Sequence, residues 1–346
     1  MSRNKQLVLL HRPTGRVSID HFEVREIPLR PPNDGELLIK THYLSIDPTN
    51  RVWMSDRPQY MPPVEIGEVM RGFGLGEVID SRHPQFARGD LVTGLLGWQT
   101  HCYSDAQGLR PLQKIPTDTG IPPRTFLGAL GLTGGLTAYF GMISLGDPKA
   151  GETVVVSAAA GSVGSLAGQL AKLRGARVIG IAGGHEKCSY VVGELGFDSC
   201  IDYQNQDVGT ELERLCPQGI SVYFDNVGGS ILEAVLARLA LRARVVLCGM
   251  ISQYNDEQRW TLPRNFDAIL YQRARVEGFI VSDFRPQFPK AYAELIPLWR
   301  SGQLTYREHL VHGLENAPAA VNMLFDGKNH GKLILQVATD GTSSEA

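Results

Sequence analysis

The rhythm of apolar positions changes near residue 123. Before it, apolar runs are short: Leu7-Val8-Leu9-Leu10, Leu37-Leu38-Ile39-Lys40, Glu77-Val78-Ile79 and Leu91-Val92. Turn residues separate them, as in Pro31-Pro32-Asn33-Asp34-Gly35 and Arg88-Gly89-Asp90. Closely spaced strands without crossover helices predict an antiparallel barrel or sandwich. Beyond residue 123 the pattern alternates. Residues 126–144, rich in Gly, Leu and Ala, read as a helix entry and a close-packed helix. Strands are expected at 153–156, 177–181, 200–201, 221–225, 245–248 and 276–281. Helices are expected from 163, from about 186, near 231–239 and over 286–301. Such alternation means βαβ units on a parallel sheet, so the class is α/β with a doubly wound sheet and a second, β-rich domain. A last strand at 332–337 is expected to rejoin the N-terminal part, and 340–346 read as a frayed tail.

The densest pattern is ETVVVSAAAGSVGSLAGQLAKLR, residues 152–174. A run of β-branched residues, Thr153-Val154-Val155-Val156, gives way to small residues. Val163, Leu166, Leu170 and Leu173 then recur at helical spacing. The break holds Ala159-x-Gly161-x-x-Gly164, a G-x-G-x-x-G fingerprint with alanine for its first glycine. Gly161 lets the backbone approach a pyrophosphate, and Gly164 lets the helix pack against the strand. The helix N-terminus beyond offers N–H groups to that phosphate. Gly161, Ser162, Val163 and Gly164 are thus candidates for holding a dinucleotide.

Composition narrows the partners. The 346 residues suit two domains, and 43% hydrophobic with 20% charged residues is ordinary for a globular protein. A net charge of -2 gives no pull toward nucleic acid or an anionic membrane. No apolar run approaches a membrane span. Leu7-Val8-Leu9-Leu10 is too short for a signal-peptide core, so a cytoplasmic location is expected. The five cysteines are scattered without a C-x-x-C pair, which argues against a disulfide framework and a structural zinc. Cys200 and Cys248 lie in apolar strand-like runs and read as small buried hydrophobes. His101 and Cys102 are adjacent, so on a strand they face opposite ways and do not chelate one ion. No metal is expected.

Six further motifs carry a family resemblance: LSIDPTNR (44–51), LGLTGGLTAYFG (130–141), AAAGSVGS (158–165), YFDNVGG (223–229), CGMISQYN (248–255) and EGFIV (277–281). Spread over nearly the whole chain, they resemble the zinc-independent medium-chain dehydrogenase/reductases. The likeness is to the prostaglandin reductase, leukotriene hydroxydehydrogenase, curcumin reductase and plant double-bond reductase group. The resemblance implies a GroES-like substrate domain over 1–122, a Rossmann NADP-binding domain over 123–301, and a return to the first domain over 302–346. It implies metal-free, NADPH-dependent reduction of the carbon–carbon double bond of a small enone or enal, by a homodimer. NADPH quinone reduction and a catalytically silent NADPH-binding protein are the rival readings.

The strand at 177–182 ends in Gly183-Gly184-His185 with no carboxylate for a ribose 2′-hydroxyl. The first acid, Glu186, opens the next helix, and Lys187 beside it suits a 2′-phosphate. The resemblance adds Tyr203 on that phosphate and Asn226 near the adenosine ribose or phosphates. It places Cys248, Gly249, Met250, Ile251, Ser252, Gln253 and Tyr254 along the nicotinamide, and backbone of Phe279, Ile280 and Val281 at its carboxamide. It brings Asn329 back to the cofactor, with His330 departing from several relatives. Tyr254, just past a strand end, is the candidate catalytic donor to a developing enolate or an anchor for the ribose. Tyr60, a loop aromatic, is a candidate substrate residue, either closing over substrate or only lining it. Arg51 has counterparts in relatives, and a structural ion pair explains it equally well.

Overall fold

The computed structural model describes residues 3–107, 111–116, 119–255 and 263–337, so the tail expected at 340–346 lies outside the described residues. Contacts divide the chain into two units. One comprises Met1–Gly128, Glu308–Asn329 and Leu333–Ala346; the other comprises Ala129–Arg307 and His330–Lys332.

In the first unit, β1 (Arg3–Leu9) pairs antiparallel with β2 (Phe22–Pro28). After buried Phe22, β2 alternates half-buried and exposed positions, the pattern of a strand with one face in water. β3 (Leu37–Ser45) leads into the short helix α1 (Thr49–Trp53) and pairs antiparallel with β4 (Phe73–Ser81). β5 (Leu91–Leu95) and β7 (Gln113–Lys114) extend the sheet beyond β4, and β6 (His101–Ser104) pairs with β3. On β6, Cys102 is buried and His101 half-exposed, as adjacent strand positions require.

The second unit is built on a parallel sheet. The stretch 126–144 departs from a plain helix: Leu132–Leu136 and Phe140–Gly146 are π-helical, flanking α2 (Thr137–Tyr139). A Cβ on Gly135 would stand 1.9 Å from Ala129 O, so glycine is needed there even though it weakens a regular helix. β8 (Thr153–Ser157) leads to α3 (Ser162–Leu173), then β9 (Arg177–Ala182) and α4 (His185–Gly193). β10 (Ser199–Asp202), α5 (Val208–Leu215), β11 (Ile220–Asp225), α6 (Gly229–Leu236) and β12 (Leu239–Leu247) follow. α7 (Ala268–Tyr271), β13 (Arg275–Gly278) and α8 (Phe288–Arg300) complete the series. Leu239 had been expected in the preceding helix; instead it opens β12, where it pairs with Ile220. The strand expected to reach 281 stops at Gly278, and Val281 begins a 3-10 turn.

Among the described residues the sheet order is β10-β9-β8-β11-β12-β13, all parallel. The order reverses between β8 and β11, the switch point where open α/β sheets bind ligands. Val154, Val155 and Val156 are wholly buried, which is why this central strand reads as an unbroken apolar run. α3 buries Leu166 and Leu170 together with Gly164, Ala167, Gly168 and Ala171. A Cβ on Gly168 would stand 1.8 Å from the Phe197 ring, so the helix packs through its small residues. Leu173, expected on that face, is exposed, being the last residue of the helix.

The chain then returns. β14 (Glu308–His312), α9 (Ala317–Phe325) and β15 (Lys332–Gln336) complete a sheet ordered β14-β15-β3-β4-β5-β7, with β15 antiparallel to β3. Trp53, Trp98, Leu7 and Leu44 share that unit's core with Val321, Leu333 and Leu335. Among the described residues no helix is long and apolar enough to cross a membrane.

Candidate dinucleotide site at the sheet switch point

After β8 the chain turns through Ala158, whose φ of 48° is rare outside glycine and stores about 1–3 kcal/mol of strain. The Gly161 N–H closes the turn on Ala158 O at 2.9 Å. Gly161 itself has φ -84°, so its glycine is not required by backbone angle. What matters there is bulk: a Cβ would approach Ala158 O to 3.1 Å, and at Gly164 to 2.3 Å. Ala159, at the fingerprint's first position, lies against Gly180 of β9, where an added Cβ would be 2.9 Å from the Ala159 methyl. The missing first glycine is thus offset by a glycine on the neighbouring strand. Among the described residues no side chain caps α3, so its first-turn donors remain directed at the turn. Gly331 bridges Gly161 on the flank.

β8 and β11 are locked together at their C-terminal ends. Asn226 donates its backbone N–H to Ser157 Oγ (2.8 Å) and its side-chain amide to Ser157 O (2.7 Å). Asp225 is wholly buried. Its Oδ1 accepts from Tyr223 Oη (2.8 Å), Ser157 Oγ (3.1 Å) and the N–H groups of Val227 and Gly228 (both 2.9 Å). Burial pushes the Asp225 carboxyl above its usual range despite these donors. Its Oδ2 is buried without a hydrogen-bond partner among the described residues.

The segment 248–254 is clamped onto that turn. The N–H groups of Cys248 and Gly249 both reach Asp225 O, Ile251 N–H reaches Asn226 O, and Ser252 Oγ donates to Val227 O at 2.6 Å. Met250 N–H donates to Tyr254 Oη at 3.0 Å. A Cβ on Gly249 would stand 3.3 Å from that oxygen, so the phenol folds over a glycine. Gln253 Oε1, like Asp225 Oδ2, is a buried acceptor without a partner among the described residues. Burial pushes the Cys248 thiol up to about 12, which leaves it inert. The Phe279 ring packs edge-on to Phe284 and against Gly141, and Ile280 and Val281 follow in the turn.

At α4, Gly184 takes φ 90° and its N–H donates to Asp202 Oδ1 at 2.7 Å. The tip of β9 carries no carboxylate of its own, and β10 supplies one in Asp202. Asp202 also accepts from Gln204 N–H and Asn205 Nδ2, so it serves the turn. Burial opposes its charge, but the hydrogen bonds from Asn205, Gly184 and Gln204 hold its carboxyl below the usual range. Tyr203 lies over Gly183, where an added Cβ would be 2.8 Å from its hydroxyl. Lys187 is half-buried, and desolvation lowers its pKa against the pull of Glu186. It lines a cleft with Ala160, Tyr190, Arg307, His330 and Gly331. Arg307 stacks on Tyr190 at 4.2 Å and pairs with Glu194, and His330 Nδ1 lies 3.5 Å from Glu186 Oε1. Three basic side chains from distant segments therefore meet beside the fingerprint turn. Lys187 has a signal in the sequence and His330 stands out there as a departure beside Asn329, but no motif contains Arg307.

Tyr60, Asn329 and Arg51 belong to the first unit. Tyr60 Oη accepts from Trp53 Nε1 at 3.1 Å, with the ring partly exposed. Asn329 is half-buried just after α9. Arg51 is buried and donates to the carbonyls of Pro13 and Gly15. Among the described residues no group of three or more His, Cys, Asp or Glu side chains could hold a metal ion.

Residues 5–112 match a family model described as the N-terminal domain of oxidoreductase, and residues 162–298 match one described as zinc-binding dehydrogenase. The fold and these matches define a medium-chain dehydrogenase/reductase. A crystal structure of CurA from Vibrio vulnificus in complex with NADPH is 42% identical with a TM-score of 0.89, covering 98% of this chain and 100% of that one. NADPH-dependent curcumin reductase from Escherichia coli is 41% identical over 98% of each chain. The NADP(+)-dependent 2-alkenal reductase of Nicotiana tabacum is 39% identical over 97% of this chain and 98% of its own. The chain belongs to the zinc-independent reductase family of the curcumin, 2-alkenal and prostaglandin reductases.

Proposed function

We propose that this protein uses NADPH to reduce the carbon–carbon double bond of α,β-unsaturated ketones and aldehydes, without a metal ion. The observation that carries the reading is the switch point itself. It has an uncapped helix start pressed against a glycine turn, with Lys187, Arg307 and His330 gathered beside it. That donor set fits a pyrophosphate and a 2′-phosphate. The buried acceptors Asp225 Oδ2 and Gln253 Oε1 fit a ligand bearing hydroxyl and amide donors.

In this reading Gly161, Ser162, Val163 and Gly164 hold the pyrophosphate, and Lys187 and Tyr203 the 2′-phosphate. Asn226 and the 248–254 segment border the ribose and nicotinamide; Phe279, Ile280, Val281 and Asn329 complete the contacts. When bound, NADPH supplies the hydride accepted by the substrate β-carbon. The chain's own part is to steady the negative charge that then develops on the carbonyl oxygen; in this reading Tyr254 does so, the alternative being that it only anchors the ribose. Tyr60 serves the substrate. A cytoplasmic setting goes with this reading, since NADPH is kept reduced there, and cell fractionation checks it.

The test is NADPH oxidation against a panel of enones, enals and quinones, repeated with NADH and after exhaustive chelation. Enones and enals should turn over fastest, with NADPH, and chelation should leave the rate unchanged. Turnover of quinones alone, no turnover at all, or activity lost with a stoichiometric metal would each defeat the reading.

We also infer a homodimer. Among the described residues β13 is an edge strand, and Leu270 (73% exposed) and Tyr271 (66%) lie in α7 just before it in the chain. An edge strand flanked by exposed apolar side chains is a ready pairing surface. Light scattering on a sizing column should give twice the chain mass, and Leu270→Asp should shift it toward one. A monomeric wild type would refute the inference.

A further inference from the structure

Cys188 lies in the first turn of α4 and Cys200 on β10, and their sulfurs are 2.9 Å apart, with Cys200 donating to Cys188. No cysteine motif relates them, and Cys200 had read as a buried hydrophobe. Their approach comes from the packing of α4 on the sheet. The in-register neighbour of Cys200 on β9 is Gly180. A Cβ there would stand 2.8 Å from Val191 Cγ1 of α4, so the missing side chain lets the helix sit low. Neither residue is fully buried.

We propose that Cys188 and Cys200 are a redox-active dithiol that a hydroperoxide converts to an intramolecular disulfide, and that the disulfide weakens NADPH binding. The second half rests on the cofactor reading above. The other thiols make poor competitors: burial pushes Cys102 up to about 12, Cys216 to about 11 and Cys248 to about 12. The hydrogen bond from Cys200 instead holds the Cys188 thiol below its ordinary value, and the α4 N-terminus favours a thiolate there. The same contact, with burial, drives Cys200 upward, so Cys188 attacks and Cys200 resolves.

The steps balance. The Cys188 thiolate attacks the terminal peroxide oxygen; an S–O bond forms, the O–O bond breaks, and the leaving oxygen departs protonated as an alcohol or water. Cys200 then attacks the sulfenic sulfur; the S–S bond forms, the S–O bond breaks, and the hydroxyl leaves as water with the Cys200 proton. Two thiols lose two electrons in all, and the hydroperoxide gains them. The new bond ties the first turn of α4 to β10. Lys187 precedes Cys188, and Asp202, which holds Gly184, lies two residues beyond Cys200. Drawing the sulfurs closer therefore moves the phosphate-facing end of α4.

The experiment treats the reduced, full-length protein with hydrogen peroxide, alkylates the remaining thiols and maps peptides by mass spectrometry. Most molecules should carry a Cys188–Cys200 linked peptide that dithiothreitol reverses. NADPH dissociation constants, measured before and after, should rise roughly 3–10-fold, the scale of one weakened charge-assisted contact. Cys188→Ser, treated alike, should show no rise. Absence of the linked peptide would overturn the dithiol, and a linked peptide with unchanged NADPH affinity would overturn the coupling. Failure of the cofactor reading shows separately, as undiminished NADPH affinity in reduced Lys187→Ala while the linked peptide still forms in the wild type.

Discussion

Tyr254→Phe should lower kcat for enone reduction about 10–1000-fold, the range for losing one donor or acid at a developing charge. The phenol accepts the Met250 N–H at 3.0 Å, and its oxygen lies 3.3 Å from where a Gly249 side chain would begin. A hydroxyl that accepts one hydrogen bond is polarised into a better donor for another. The same bond gives the rival role its substance. Without the hydroxyl, Met250 N–H loses its partner, at a cost of about 1–3 kcal/mol if the group stays dry. That loss would loosen the 248–254 segment and weaken NADPH binding with kcat at saturation intact. Both constants must therefore be measured for the variant, with a melting curve to show that it is folded. An unchanged kcat with weakened NADPH binding sinks the catalytic role.

Lys187→Ala should raise the NADPH dissociation constant about 10–150-fold, from the roughly 1.5–3 kcal/mol of one charge-assisted phosphate contact, and should barely move that for NADH. Arg307 and His330 line the same cleft, so part of the preference should survive. Burial lowers the Lys187 pKa in the free protein. The ammonium is the form that attracts phosphate, so NADPH affinity should begin to fall with rising pH earlier than for a solvated lysine. Equal affinity of the wild type for NADPH and NADH would refute the assignment.

The α/β class and the fingerprint turn were legible because the physics there is local. Val154, Val155 and Val156 are buried on both faces, and Gly161 and Gly164 follow at fixed spacing. Leu239 was misread because no glycine or proline separates α6 from β12; its pairing with Ile220 sets it in the strand. Leu173 keeps the helical spacing but is the last residue of α3, where its side chain is exposed. The π-helical turns at 132–146 go with a close approach of Gly135 to the Ala129 carbonyl six residues earlier, which the apolar spacing does not report. Arg307, Asp202 and the Cys188–Cys200 pair are invisible for a different reason: each acts through space on a segment remote in sequence.

β3 pairs through Tyr43, Leu44 and Ser45 with β15, which is made nearly three hundred residues later. A ribosome adding about 5–20 residues per second takes roughly 15–60 s to travel from one strand to the other. The segment Ala129–Arg307 is complete before then. The unit begun first on the ribosome is therefore the one finished last. Until β15 emerges, the edge at Tyr43, Leu44 and Ser45 is open to strands of other nascent chains, and this is where crowded synthesis should first produce aggregates.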